Sequence, residues 1–411
     1  MLFTIAKDSL LSRKKTVFLT FCSLVISLLV LLSVEHIRLQ AKESFNRTIS
    51  STDLIVGGPS GQLNLLLYSV FRIGTPTANI KYESFQALKE KRLVKWTIPI
   101  SLGDSHKGFR VLGTNSDYFE HFRYGKKKPL ALSQGKQLET LFDTVIGADV
   151  AKTLGYQVGD QIVITHGIGK VGFTNHDKSP FIIAGILERT GTPVDKTVHV
   201  SLEAIEAIHL TPAKLQKVIA DPNSVDLTPK SVTAVLVGLK NKFATFKIQR
   251  DISQDPNDRM MAILPGVAMT ELWSLLGSVE NILRVIAALV LLSSLFGLST
   301  MLLASMNERQ AEIAIFRVLG AGPVKIMFLI FVEAILLALS AIIFSVMLIT
   351  AILYGFEDFL ASEYGLFISS NILSLDVVKL LGIVLVATIV TALFPAIEAY
   401  KSALHRQLSK R

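Results

Sequence analysis

Four stretches of this chain are apolar for long enough to cross a bilayer, which takes about 20 residues of helix. They are Thr16 to Val34, Val285 to Ser305, Ile326 to Leu353 and Val377 to Ile397. Their spacing, one near the start and three after a long interval, constrains the fold more than any motif does. The 411 residues are 50% hydrophobic and only 18% charged, too apolar for a soluble domain, yet residues 35–267 form a polar interval that a many-pass bundle would lack. The pattern predicts an α+β membrane protein with four transmembrane helices in a 1+3 layout and a large mixed α/β domain between the first and second. The first stretch exceeds the apolar part of a signal peptide. It is followed by "VEHIRLQAKE" instead of a small-x-small cleavage site, so it reads as an uncleaved anchor.

Orientation follows from basic residues in the short flanks. Lys7, Arg13, Lys14 and Lys15 lie in the N-terminal segment 1–15; Arg309, Arg317 and Lys325 lie in 306–325; Lys401, Arg406, Lys410 and Arg411 lie in the tail 398–411. Segment 354–376 has no Lys or Arg at all and holds the acidic Glu357, Asp358, Glu363 and Asp376. The positive-inside rule then places both termini and 306–325 in the cytoplasm and 35–267 outside. The net charge of +9 comes without the aromatic-interleaved basic stripe of a nucleic-acid binder, and the basic residues beside the apolar runs read as topology signals.

The outward domain reads as mixed. Runs such as "DLIVGG", "QIVITHG", "FIIAGILE", "KTVHVS" and "SVTAVLVGL" are strand-like, while "YESFQALKEKR", "IGADVAKTLG" and "SLEAIEAIH" are helical. The interval is long enough to bury its own core, in two subdomains. Residues 268–305 hold no proline and read as one stalk helix continuing into the second span.

Catalytic and cofactor chemistry finds little support. Gly167 to Gly172 spell GxGxxG, but "FTNHDKSP" follows in place of a helix, so no helix N-terminus is there for a pyrophosphate. No GxxxxGK[ST] and no GxSxG occurs. His36, His106, His121, His166, His176, His199 and His209 lie outside the spans with no HExxH or i,i+4 pair, and Cys22, the single cysteine, sits in the first span. No metal site or disulfide is expected. Within the spans Glu333 stands out, because a carboxylate at mid-helix costs about 2.5 to 3.5 kcal/mol; it is expected to make a polar contact between helices. The small pairs Ser293 with Gly297 and Ala341 with Ser345 offer faces for close helix approach.

Segment Met306 to Ile326, "MNERQAEIAIFRVLGAGPVKI", is charged yet sits between two spans. Good helix formers run to a Gly-Ala-Gly stop, with Pro323 where the next helix begins. Ile313, Phe316 and Leu319 share one face, leaving Glu308, Arg309, Glu312 and Arg317 for others. The pattern fits a helix lying in the lipid interface or docking to a cytoplasmic partner.

"NERQAEIAIFRVLGAGPVKIMFLIFVEAILLAL" resembles the signature of FtsX-like permeases, and "IGADVAKTLGYQVGDQIVI" with "FIIAGILERTGTPVDKTVHVSLEAI" is similar to MacB-type periplasmic core domains. "FPAIEAYKSAL" resembles the family's closing segment. The resemblance spans nearly the whole chain. It departs at Ser340 and Ser345, where relatives often have glycine, and at "SALHRQL", which replaces the usual ending.

The resemblance implies a non-catalytic permease subunit of a type VII ABC system in the bacterial inner membrane. It would work with two copies of a separately encoded ATPase that bind the ATP and magnesium, so no cofactor is expected in this chain. The expected pairing is with a second copy or a related permease, and an outer partner would be an adaptor, binding protein or lipoprotein. By position it implies that Glu308, Arg309, Glu312, Arg317, Leu319 and Gly320 couple to the ATPase and that Glu333 is the matching intramembrane acid. Two alternatives stay open: an FtsX-type activator of a periplasmic hydrolase, and a ligand- or metal-sensing membrane protein.

Overall fold

The computed structural model describes residues 2–166, 181–308, 310–318, 320–364 and 372–408. The chain forms two compact units, a helical one built from residues up to Ala41 and from Gly277 onward, and a mixed one formed chiefly by Lys42–Leu276. Among the described residues four helices are long and apolar enough to cross a membrane: Lys14–Glu43, Pro265–Met306, Pro323–Phe356 and Leu375–Lys401.

The chain opens with α1 (Leu2–Ser12) and α2 (Lys14–Arg47). The mixed unit that follows holds α3 (Gln62–Val70), α4 (Tyr82–Glu90), α5 (Asp117–His121), α6 (Ala148–Leu154), α7 (Leu202–Ile208), α8 (Pro212–Ala220) and α9 (Thr245–Ser253). Its main strands are β1 (Leu54–Gly57), β2 (Val94–His106), β3 (Phe109–Thr114), β4 (Leu132–Gly135), β5 (Asp143–Ile146), β6 (Phe181–Leu187), β7 (Thr197–Ser201), β8 (Ala234–Leu239) and β9 (Met261–Ile263). They line up as β9-β1-β8-β2-β3-β7-β5-β6-β4 in one sheet. The pairs β3 with β7 and β5 with β6 are parallel, which requires the long crossovers that α6 and its neighbours supply.

The two halves expected of this interval share a backbone ladder. The 13-residue strand β2 pairs with β8 on one side and β3 on the other, so the interval folds as one compact unit. The "QIVITHG" run is likewise not one strand: Gln161–Ile162 pairs with β6, while Thr165–His166 pairs with β2. Separate apolar clusters cover the sheet, one around Leu65, Tyr68, Tyr118 and Leu236, another around Val56, Phe85, Val237 and Ile252, a third around Val150, Phe181 and Val200. Fully burying aliphatic and aromatic side chains of this size stabilises by about 1.5 to 3 kcal/mol each.

From Pro265 the chain runs as a single helix, α10 (Pro265–Glu308), then α11 (Gln310–Val318), α12 (Pro323–Tyr364) and α13 (Leu375–Leu408). α12 therefore continues past Leu353 into the interval read as a loop, because hydropathy marks where the apolar run stops and not where the helix does. The helical core gathers Leu24, Leu28, Ala287, Leu295, Ala334, Ala341, Ala392 and Ala396. Lipid tails are as apolar as leucine, so close packing and polar contacts must hold such helices together. Ser294 of α10 is hydrogen-bonded to Ser23, at 3.1 Å, and to Ser27 of α2. Ser299 donates to the Thr391 carbonyl at 2.7 Å.

Candidate functional site

Between Glu308 and Pro323 the chain makes a short helix and a sharp stop. α11 carries Glu312 in its first turn and Arg317 in its last, each opposite in sign to the partial charge of its helix end. Gly320 adopts φ 90°, a conformation L side chains resist. The Ala321 amide donates to the Phe316 carbonyl at 2.9 Å and the Gly320 amide to the Arg317 carbonyl at 3.0 Å, the paired closure of a Schellman stop. Ile313 packs against the helical core, and Phe316 and Arg317 are half-buried. Glu308 and Glu312 are exposed. So are Ile315 and Val318, at 59% and 88%, a second apolar strip that the spacing of Ile313, Phe316 and Leu319 does not reveal. Arg309 and Leu319 lie outside the described residues.

Glu333 is 1% exposed, near the start of α12. Its carboxylate accepts from Ser9 Oγ at 2.5 Å and faces Arg13 Nη2 at 3.4 Å, and Arg13 also donates to Ser9 Oγ at 3.1 Å. The acid thus ties α12 to the end of α1. Arg13, read from sequence as a topology signal, is also the counter-charge. A carboxylate in an apolar helix calls for a cation, but the sequence offers several flanking ones, Lys14, Lys15 and Lys325 among them, and does not single out Arg13.

The small pairs divide. Ala341 and Ser345 are fully buried, and Ser345 Oγ donates to the Val25 carbonyl at 3.3 Å, so this face is used within the chain. Ser293 and Gly297 are exposed, with nothing within 4 Å of a β-carbon built on Gly297.

A charge network missed in the sequence links α2 and α10. Arg284 holds Glu35 in a forked pair, with Nε 3.1 Å from Oε2 and Nη2 3.0 Å from both oxygens. Arg38 reaches Glu35 at 2.9 Å and Glu280 at 3.5 Å. Forked arginine–carboxylate pairs fix geometry as well as adding energy.

Several polar groups of the mixed unit are spent on its own structure. Asp195 accepts from Thr190 N, Thr190 Oγ1 and Gly191 N at 2.7 to 2.8 Å, holding the Thr-Gly-Thr-Pro turn after β6. Burial raises the pKa of Asp149, which faces Arg189 at 3.3 Å. Gly147 packs so tightly on this turn that a β-carbon would come within 2.3 Å of the Val194 and Asp195 carbonyls. His106 is spent on the Val163 carbonyl and the Tyr156 hydroxyl. On α5, ligand atoms of Asp117, Glu120 and His121 come within 4.8 Å of one another; the helix is short, and exposed acidic groups gather this way without a metal. His176 and the GxGxxG stretch lie outside the described residues.

His199 is fully buried, with Nδ1 3.0 Å from the Val145 carbonyl. Nδ1 must therefore carry the proton of the neutral ring, and Nε2 has no partner among the described residues. Burial, with Arg72 nearby, pushes its pKa down to about 3, against about 6.5 in an unfolded chain. Between these values the unfolded state binds a proton that the native state refuses. Stability is thus intact above about pH 6.5 and falls as pH drops through the window, by up to about 1.4 kcal/mol per unit. Thermal unfolding against pH should show this slope, and His199→Asn should flatten it; parallel profiles would refute the assignment.

Residues 284–404 match the family model of the FtsX-like permease C-terminal region. Residues 17–254 match that of the MacB-like periplasmic core domain. No curated protein sequence matches the chain. Among solved structures, the periplasmic region of MacB from Actinobacillus actinomycetemcomitans aligns at 10% identity over 55% of this chain and 95% of that one, with TM-score 0.33. The extracellular domain of the ABC-type transporter YknZ from Gram-positive bacteria aligns at 12% identity over 52% and 99%, with TM-score 0.30. The core-domain model covers more than half of the chain, and the permease model takes in the helices that follow. The chain therefore belongs to the MacB/FtsX-like family of ABC transporter permeases.

Proposed function

We propose that this chain is the non-catalytic membrane subunit of an ABC system that works by mechanotransmission. Two copies of a separate ATPase subunit bind ATP and magnesium and close on the elbow around α11. The spans then shift and the mixed domain moves at the outer face of the inner membrane, driving export or extraction of a substrate, with an adaptor, binding protein or lipoprotein as outer partner. The observation that carries this reading is the α11 surface, where exposed Ile315 and Val318 lie on the same short helix as the exposed Glu312. Aliphatic side chains rimmed by charge are a docking surface for protein. The exposed Ser293 and Gly297 supply a face for a second permease, either a copy or a relative. Lys and Arg in the flanks support a cytoplasmic elbow and cytoplasmic termini.

Because Cys22 is the single cysteine, Cys22→Ser with Val318→Cys leaves one thiol on α11. That thiol should cross-link to a co-purifying ATPase subunit and react with an impermeant reagent in inside-out vesicles but not in intact cells. Labelling from outside would refute the reading.

A further inference from the structure

A cleft of about 320 Å³ opens in the mixed unit, and cations converge on it. Lys95, Arg123, Lys127 and Lys242 line it together with Trp96 and His121. Among the described residues no carboxylate lies within ion-pair distance of any of the four cations. The lining carboxylate, Asp53, is engaged by the Leu239 amide at 2.8 Å. Four like charges around one space repel each other, and an anion is what would relieve them.

The cleft is built. Trp96 lies on Gly238, where a β-carbon would come within 2.1 Å of the indole, and stacks its ring on His121 at 5.7 Å with the planes 16° apart. Lys127 holds φ 60°, a conformation non-glycine residues seldom keep, in the connection between the short strands Arg123–Tyr124 and Lys128–Pro129.

Next to Lys242 the chain exposes two phenylalanines three residues apart, Phe243 at 96% and Phe246 at 72%, with Lys247 also exposed. Scattered apolar residues on a surface need no explanation, but two exposed aromatic rings among lysines have the composition of a lipid-interface segment. The other wall of the cleft is Ser50 to Asp53, which the chain enters directly after α2 ends at Arg47.

We propose that this cleft binds the phosphate group of an anionic phospholipid, with Phe243 and Phe246 against its acyl chains. The four cations and Trp96 hold the headgroup; the phenylalanines distinguish a lipid from a free phosphate anion. The inference deepens the transport reading by naming a lipid class for the outward domain. It is tested by binding alone, without an ATPase, so either reading can fail while the other stands.

The chain has two tryptophans, Trp96 and Trp273, so Trp273→Phe makes Trp96 the reporter. Full-length protein in neutral detergent is titrated with short-chain phosphatidylglycerol, short-chain phosphatidylcholine and inorganic phosphate. Calorimetry on the unsubstituted chain repeats each titration. The anionic lipid should give a saturable change, and phosphatidylcholine none. Lys95→Gln with Lys242→Gln should weaken lipid binding about tenfold or more, at roughly fivefold per cation removed. Phe243→Ser with Phe246→Ser should weaken lipid binding and leave phosphate binding unchanged. Equal response to the two lipids, no loss in the lysine variant, or phosphate binding as tight as lipid with no effect of the phenylalanines would each overturn the proposal.

Discussion

Reversing the elbow charges, Glu312→Lys together with Arg317→Glu, is expected to lower permease-stimulated ATP hydrolysis by about tenfold or more, equivalent to about 1.4 kcal/mol or more. The pair is chosen so that other causes drop out. The number of Lys and Arg residues in the short flank is unchanged, so the insertion signal survives. Both residues sit on one short helix whose stop is made by backbone bonds of Gly320 and Ala321. The swap opposes the helix dipole at both ends, at about 0.3 to 1 kcal/mol each, and leaves Ile313 packed on the helical core. Basal hydrolysis by the ATPase subunit alone is the control. Full stimulation by the reversed variant would mean that α11 is not where force enters.

The second large effect is expected at the α1–α12 tie. Arg13→Leu removes the cation 3.4 Å from the buried Glu333 carboxylate, and breaking such a pair from one side costs about 3 to 5 kcal/mol. Ser9 still donates to it, which argues for the lower end. Arg13→Leu with Glu333→Leu removes both charges and should recover most of the loss, since apolar replacement of a buried pair is often neutral. Unfolding of the purified variants in detergent decides the matter. If the double variant is as unstable as the single one, or the single as stable as the parent, Glu333 does something other than hold α1.

The apolar stretches were legible because crossing a bilayer demands length and composition together, and the elbow's stop because Gly-Ala-Gly before a proline leaves the backbone few choices. Glu333 announced itself by being misplaced, but several flanking cations could have served it, and only the structure singles out Arg13. The sheet was harder. β2 carries Pro99, Gly103 and Asp104, each a reason to deny a central strand, yet it is the longest one. Its ladder shifts register between Leu102 and Ser105, and Pro99 gives its carbonyl to the Thr114 hydroxyl. Such accommodations depend on strands far away in sequence. The basic cleft was illegible for the same reason: Lys95, Arg123 and Lys242 come from three separate elements. The α11 strip of Ile315 and Val318 escaped because one apolar face had already satisfied the helical period.

Glu35 and Arg284 each stand one residue beyond the apolar stretch of their own helix, so their forked pair lies where oil gives way to water. Two rods pinned at the waterline can lean or twist in company, but one cannot slip lengthwise past the other without pulling a guanidinium off its carboxylate. That makes a piston stroke of α10 against α2 the costly motion, and a shared swing the easy one.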